Sequence, residues 1–169
     1  MTTNTLTPVL NIADVPLRES SHGDKFAAKL GRIGVAIGAK KLGCQLHIVP
    51  AGKTAFPRHA HHANEELFLI LEGAGVYRLG PNSYPVKTGD VLSAPAGEAE
   101  TTAHQIINSG ASEMRYLAFS TRLDPDVVEF ADSNKFLVAS MVPPDAGLRA
   151  ARVMHIARPG TSLDYWDGE

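Results

Sequence analysis

The amino-acid sequence predicts an all-β fold, on three observations. Fifteen glycines and eleven prolines break the 169 residues into short runs. The runs between them are built of residues that suit strands. Turn-forming sequences, Gly80-Pro81, Gly89-Asp90 and Asn108-Ser109-Gly110, fall between successive runs. Taken in order, the apolar stretch Ile33–Ile37 is the first candidate strand. Cys44–Val49 follows, with Gln45-Leu46-His47-Ile48 alternating polar and apolar side chains. Leu67–Leu71 is a continuous apolar run headed by Glu66, and Gly75–Leu79 ends at the Gly80-Pro81 turn. Val91–Ala94 sits between Gly89-Asp90 and Pro95, and Ala103–Asn108 ends at Asn108-Ser109-Gly110. Met114–Ser120, Phe136–Ala139 and Val153–Ala157 complete the set.

One segment reads differently. Asp124-Pro125-Asp126-Val127-Val128-Glu129 has the start signature of a helix, a capping residue followed by proline at the first helical position, and predicts one or two turns. Pro143-Pro144-Asp145-Ala146-Gly147 reads as a surface loop. The only tryptophan, Trp166, lies in Tyr165-Trp166-Asp167 and is expected to anchor the tail against the fold or a second subunit.

Composition narrows the function. Hydrophobic residues make up 44% of a chain long enough for a sizeable core. Net charge is −2 with basic residues scattered, which fits neither a nucleic-acid footprint nor a membrane-binding stripe. Cys44 is the only cysteine and reads as a buried strand residue, so neither a disulfide framework nor a cysteine zinc site is available. The first residues lack a basic segment followed by an apolar one, and no stretch of 18 apolar residues occurs; a cytoplasmic location is expected.

Three of the seven histidines fall within four positions, His59, His61 and His62. On a strand, His59 and His61 share a face and His62 takes the other. With a carboxylate at the head of the next apolar run and a later imidazole at His104, they form a ligand set for a divalent transition metal. The competing reading is a histidine-rich surface loop.

The spacing resembles the cupin superfamily. Its first motif matches Gly52, six residues, His59-Ala60-His61, four residues, Glu66, six residues, Gly73. Its second matches Gly89, five residues, Pro95-Ala96-Gly97, then His104, three residues, Asn108. Six residues separate Gly97 from His104 where the usual pattern has two, which enlarges a loop at the pocket mouth. The motif pair occurs once, so the resemblance implies one double-stranded β-helix, a jelly-roll barrel of two antiparallel sheets. On that reading residues 1–169 form a single domain with a core at about 30–122, an N-terminal arm at 1–29 and a C-terminal extension at 123–169.

The resemblance also implies His59, His61, Glu66 and His104 as ligands of one divalent ion: Fe, Mn, Zn, Ni, Co or Cu. Strand parity alone does not choose between Glu65 and Glu66; the family spacing to Gly73 selects Glu66. Phe68 and Ile70 share Glu66's face and Ile106 shares that of His104, so the interior below the metal is expected to be apolar. His47 is expected to face solvent, His22 to lie in a flexible segment and His155 to be structural. The site suits an enzyme acting on a small chelating molecule, either dioxygenase-type or sugar-phosphate-isomerase-type, the latter drawing phosphate ligands from Arg58, Arg78 or Arg115. The alternative is a non-catalytic metal- or small-molecule-binding module. Because Leu67, Leu69 and Leu71 make the other face of that strand apolar too, a covering segment or a partner chain is expected; a homodimer is favoured.

Overall fold

A computed structural model describes residues 7–143 and 146–169; Pro144 and Asp145 of the expected loop lie outside the described residues. Thirteen strands are described. They are β1 (Leu17–His22), β2 (Phe26–Arg32), β3 (Leu42–Val49), β4 (Ala60–His61), β5 (Glu66–Glu72), β6 (Ala74–Leu79) and β7 (Asn82–Lys87). The remainder are β8 (Val91–Ala94), β9 (His104–Ile107), β10 (Met114–Thr121), β11 (Asp126–Phe130), β12 (Lys135–Ser140) and β13 (Val153–Ala157). Two single-turn helices, α1 (Ile33–Ala36) and α2 (Ala99–Thr102), interrupt them. Among the described residues no helix is long and apolar enough to cross a membrane.

One wall of the fold is a six-stranded antiparallel sheet in the order β1-β2-β3-β10-β5-β8. Facing it are a four-stranded sheet, β13-β12-β11-β4, and a three-stranded sheet, β7-β6-β9. A bridge between His59 and His104 links these two through β4 and β9. The fold is the double-stranded β-helix, though its walls are not joined into a closed barrel by hydrogen bonds. Phe68, Ile70, Tyr77, Leu92, Ile106, Met114 and Tyr116 fill the space between the walls. Gly73 turns the chain from β5 to β6 with φ +93°, and a side chain there would come 3.1 Å from Met114 Cα. A second, smaller core joins Val128, Leu137 and Ala139 under the C-terminal strands.

Three elements differ from expectation. Ile33–Ile37 forms α1 instead of a strand, because the chain must fold back on β3: Gly34 packs so closely that a Cβ would lie 2.9 Å from the Cys44 nitrogen. Asp126–Phe130 is a strand and not the expected helix. Val127 and Val128 are β-branched and pair with Val138 and Leu137, and that pairing overrides the local capping signal. Asp124, the expected cap, instead accepts hydrogen bonds from the backbone nitrogens of Met141 (3.0 Å) and Val142 (3.1 Å). His22 ends β1, paired with Phe26 in an exposed hairpin, where a flexible segment was expected. That hairpin and β7 carry little sequence signal: β1 is exposed along its whole length, and β7 is an edge strand that tolerates Pro85.

Two side chains also depart from their expected places. His47 is buried at 4% exposure rather than solvent-facing, because β3 lies between β2 and β10 and both of its faces are covered. Trp166 does not anchor the tail against the barrel: it stays 71% exposed and its ring meets that of Tyr165. His155 lies exposed on β13, its ring 6.5 Å from that of Phe136. Cys44 is half-buried in β3.

Candidate metal centre

The histidine pair sits on a short strand held from both sides. On one side the His59 nitrogen donates to the His104 carbonyl (3.1 Å) and the His104 nitrogen to the His59 carbonyl (2.8 Å). On the other, β4 pairs antiparallel with β11, with Val128 opposite His61. Glu66 opens β5 between Ser120 of β10 and Ala94 of β8, at the barrel mouth. The enlarged loop after Gly97 folds into α2 and returns the chain to this register, so His104 still faces His59.

All four side chains meet at one atom. Glu66 Oε2 lies 2.8 Å from His104 Nε2, 3.8 Å from His59 Nε2 and 3.8 Å from His61 Nε2. His59, His61 and Glu66 bring their donor atoms within 4.8 Å of one another, close enough to hold a metal ion. The other ring nitrogens are fixed from behind. His59 Nδ1 is 2.8 Å from the Pro57 carbonyl, which accepts its proton. His61 Nδ1 is 2.6 Å from Asp126 Oδ2. When the rings are neutral, these contacts leave Nε2 of both as the lone-pair nitrogen facing Glu66, the arrangement metal-binding histidines adopt. His104 Nδ1 is buried without such a partner.

Electrostatics agree with the donor chemistry. Burial drives the Glu66 carboxyl up, but the His104 hydrogen bond and the fields of His61, His104 and His59 outweigh it and hold Glu66 at about 2. Burial, with His104 nearby, lowers His59 to about 4, so it is neutral at pH 7. Burial also opposes charge on His61, yet the Asp126 hydrogen bond and the fields of Glu66 and Asp126 raise it above its ordinary value. A metal ion bound here would compete with a proton on His61.

The neighbouring residues sort cleanly. Glu65 is exposed beside Glu66. His62 turns away, its Nε2 3.4 Å from Glu129 Oε2, and that carboxylate accepts from the Ala99 nitrogen (2.8 Å) to tie α2 to β11. Asn108 serves the backbone: its amide donates to the Val49 (2.9 Å) and Ser112 (2.8 Å) carbonyls. Arg58 and Arg78 both engage Asp132, at 2.9 and 3.4 Å, and Arg115 lies 4.0 Å from Glu72. An open groove of about 400 Å³ lined by Arg58, Glu129, Phe130 and Lys135 lies outside this cluster and includes none of the four residues.

Sequence reasoning missed Asp126, whose only local signal was the helix start that the strand Asp126–Phe130 overturns. It also misjudged the interior wall. Phe68 and Ile70 are buried as expected, but Gln45, His47 and Tyr116 stand across from them, so the interior is not uniformly apolar.

Residues 45–120 match the cupin domain family, so the chain carries a cupin domain over those residues. In fold it is similar to a putative sugar phosphate isomerase from Acidithiobacillus ferrooxidans, with TM-score 0.75 and 23% identity, covering 92% of this chain and 95% of that one. A sugar phosphate isomerase of the cupin superfamily from Silicibacter pomeroyi gives TM-score 0.75 and 22% identity, covering 95% of this chain and 98% of that one. In sequence it is similar to the oxalate-binding protein of Thermotoga maritima, 35% identical over 60 residues, 36% of this chain and 46% of that protein. The chain thus spans about half of that relative's length.

Proposed function

We propose that the protein holds one divalent transition-metal ion through Nε2 of His59, His61 and His104 and the carboxylate of Glu66, and that it acts as an enzyme on a small chelating acid bound there. The observation that carries this reading is the convergence of three imidazole nitrogens on the single oxygen Glu66 Oε2. Three nitrogens and one carboxylate suit iron, manganese, cobalt, nickel, copper or zinc better than calcium or magnesium. Such an ion supplies a Lewis-acid centre, and a redox centre if it is iron, manganese or copper. The chain's own part is to keep Glu66 ionised, to fix the rings of His59 and His61 through Pro57 and Asp126, and to seat the site beside the buried core.

Of the two chemistries the sequence offers, oxygen-type oxidoreductase chemistry is the better supported. A phosphosugar isomerase needs cationic side chains on the phosphate, and the three arginines put forward for that role each lie against Asp132 or Glu72. A second reading, a non-catalytic binder of small dicarboxylates, is favoured by the similarity to an oxalate-binding protein. Elemental analysis of protein purified without a metal-binding tag separates the readings. Iron, manganese or copper at one ion per chain, with dioxygen consumed on addition of a chelating acid, supports the enzyme. Zinc with no turnover supports the binder, and the absence of metal defeats both.

A further inference from the structure

The four-stranded sheet ends in an unguarded edge. β13 is its last strand, so the backbone groups on the outer side of β13 have no strand partner among the described residues. Four of its five residues are exposed, Val153, Met154, His155 and Ile156, and three of these are apolar. The register with β12 divides them: Met154 and Ile156 extend the face of Ala139 and Leu137, while Val153 and His155 extend that of Ser140 and Val138. Proteins blunt exposed edges with proline or a bulge, but β13 holds no proline and pairs in unbroken register.

The surroundings of this edge are basic. A cleft of about 480 Å³ beside it is lined by Lys135, His155, Ile156, Ala157, Arg158 and Thr161, and no carboxylate lines it. Arg158 is held there by donating to the Ser133 carbonyl (2.7 Å), and the Lys135 ammonium lies 4.8 Å from the centre of the Phe130 ring. Arg152 stands exposed at the other end of the strand.

The segment that follows has the complementary character. Residues 162–169 carry Asp164, Asp167 and Glu169 with no basic residue, and their apolar side chains, Leu163, Tyr165 and Trp166, are all exposed. In extended form Leu163 and Tyr165 share one face, and Asp164 and Trp166 share the other. An antiparallel register that sets Leu163 opposite Ile156 also sets Tyr165 opposite Met154 and Trp166 opposite Val153. The same register brings Asp164 to His155 and Asp167 to Arg152.

The chain does not make this pairing with itself. The tail leaves β13 through Arg158-Pro159-Gly160-Thr161, where the Thr161 nitrogen donates to the Arg158 carbonyl (3.4 Å) and Gly160 has φ +83°. Proline followed by a glycine of positive φ is a type II turn, whose twist splays the two flanking segments instead of joining them as a hairpin. The edge and the tail that matches it are thus kept apart within one copy.

We infer that residues 162–169 of a second copy add as a further strand on the β13 edge, with Asp164 at His155 and Asp167 at Arg152. Charge complementarity and the matched apolar rows select this occupant. Two copies that exchange tails in this way form a closed pair. The contact is one short strand, so it assembles well above micromolar concentration.

Disulfide trapping on full-length chains tests this. Cys44→Ser removes the only native thiol, and His155→Cys or Asp164→Cys then places one thiol on the edge or on the tail. Opposed residues of an antiparallel pair lie within disulfide reach. Mixed at about 100 µM under mild oxidation, the two chains should link to each other at least about 5-fold faster than either links to itself, because pairing holds the thiols at about millimolar effective concentration. A chain carrying both thiols should give linked dimers. The inference is overturned if the mixed link forms no faster, if the His155→Cys chain links fastest to itself, or if the chain with both thiols closes at monomer mass. Trp166, the only tryptophan, reports on the unsubstituted chain. Its emission should move to shorter wavelength as concentration rises from about 1 to about 300 µM, and Arg152→Glu should suppress the move. Emission that stays unchanged over that range, or a shift that Arg152→Glu leaves intact, also overturns it.

Discussion

At the scale of single residues, the site depends on side chains that never face the metal position. Asp126 accepts from His61 Nδ1 at 2.6 Å and also from the Ala63 nitrogen at 3.1 Å, so it fixes both the ring and its strand. Asp126→Asn should lower metal affinity about 10- to 100-fold, measured by competition with a chelator. Glu66→Gln should abolish most metal binding, whereas Glu65→Gln, on an exposed side chain, should change it by less than about 10-fold. Titratable groups set the acid limit of the metal-free fold. His47 is lowered to about 4 from 6.5, so the unfolded chain binds more protons between those values and stability falls as pH drops through them. The loss amounts to about 3 kcal/mol by pH 4, and urea unfolding at pH 7 and pH 4.5 should show His47→Gln losing less than wild type. Glu66 acts in the same direction lower down: its contribution is full above pH 4.5 and lost as pH falls towards 2. The meeting of His59, His61, Glu66 and His104 at one point was legible in the sequence because spacing survives any error in strand boundaries. Asp126 and His47 were not, because their roles come from strands 65 and 69 positions away in the chain.

At the scale of elements, β11 connects stability to the site. It carries Asp126 at its start and buries Val128 against Leu137 and Ala139 of β12. Leu137→Ala should cost about 2–4 kcal/mol in chemical denaturation and should also weaken metal binding by loosening Asp126. A loss below about 0.5 kcal/mol would mean that the smaller core does not support β11. Strands β3, β5, β6, β8, β9, β10, β12 and β13 were readable because runs of strand-forming residues between turn residues mark them. The segment that became β11 was misread because a proline after an aspartate is a strong local signal, while β4, one of the two partners that hold it as a strand, is distant in sequence.

At the scale of the whole molecule, the outer face of the six-stranded wall is uneven. Over β2 the N-terminal segment covers it: Val15 packs so tightly on Gly31 that a Cβ there would collide with Val15 Cγ1. Over β5, β8 and β10 that cover ends, leaving Leu67 at 44%, Val91 at 63% and Phe119 at 36% exposure. We propose that a second copy covers this patch in a homodimer. Light scattering at micromolar concentration should give twice the chain mass of 18.0 kDa, and Leu67→Lys should shift it to monomer. Wild-type protein that is monomeric at that concentration counts against the proposal.

The central claim is that four residues brought together from β4 and the residue leading into it, β5 and β9 hold one metal ion. Inductively coupled plasma mass spectrometry on tag-free protein tests it most directly, comparing wild type with His59→Ala and His104→Ala. The account predicts about one transition-metal ion per wild-type chain and a loss of most of it in each variant. Full metal content in both variants, with their folding confirmed by circular dichroism, would contradict it.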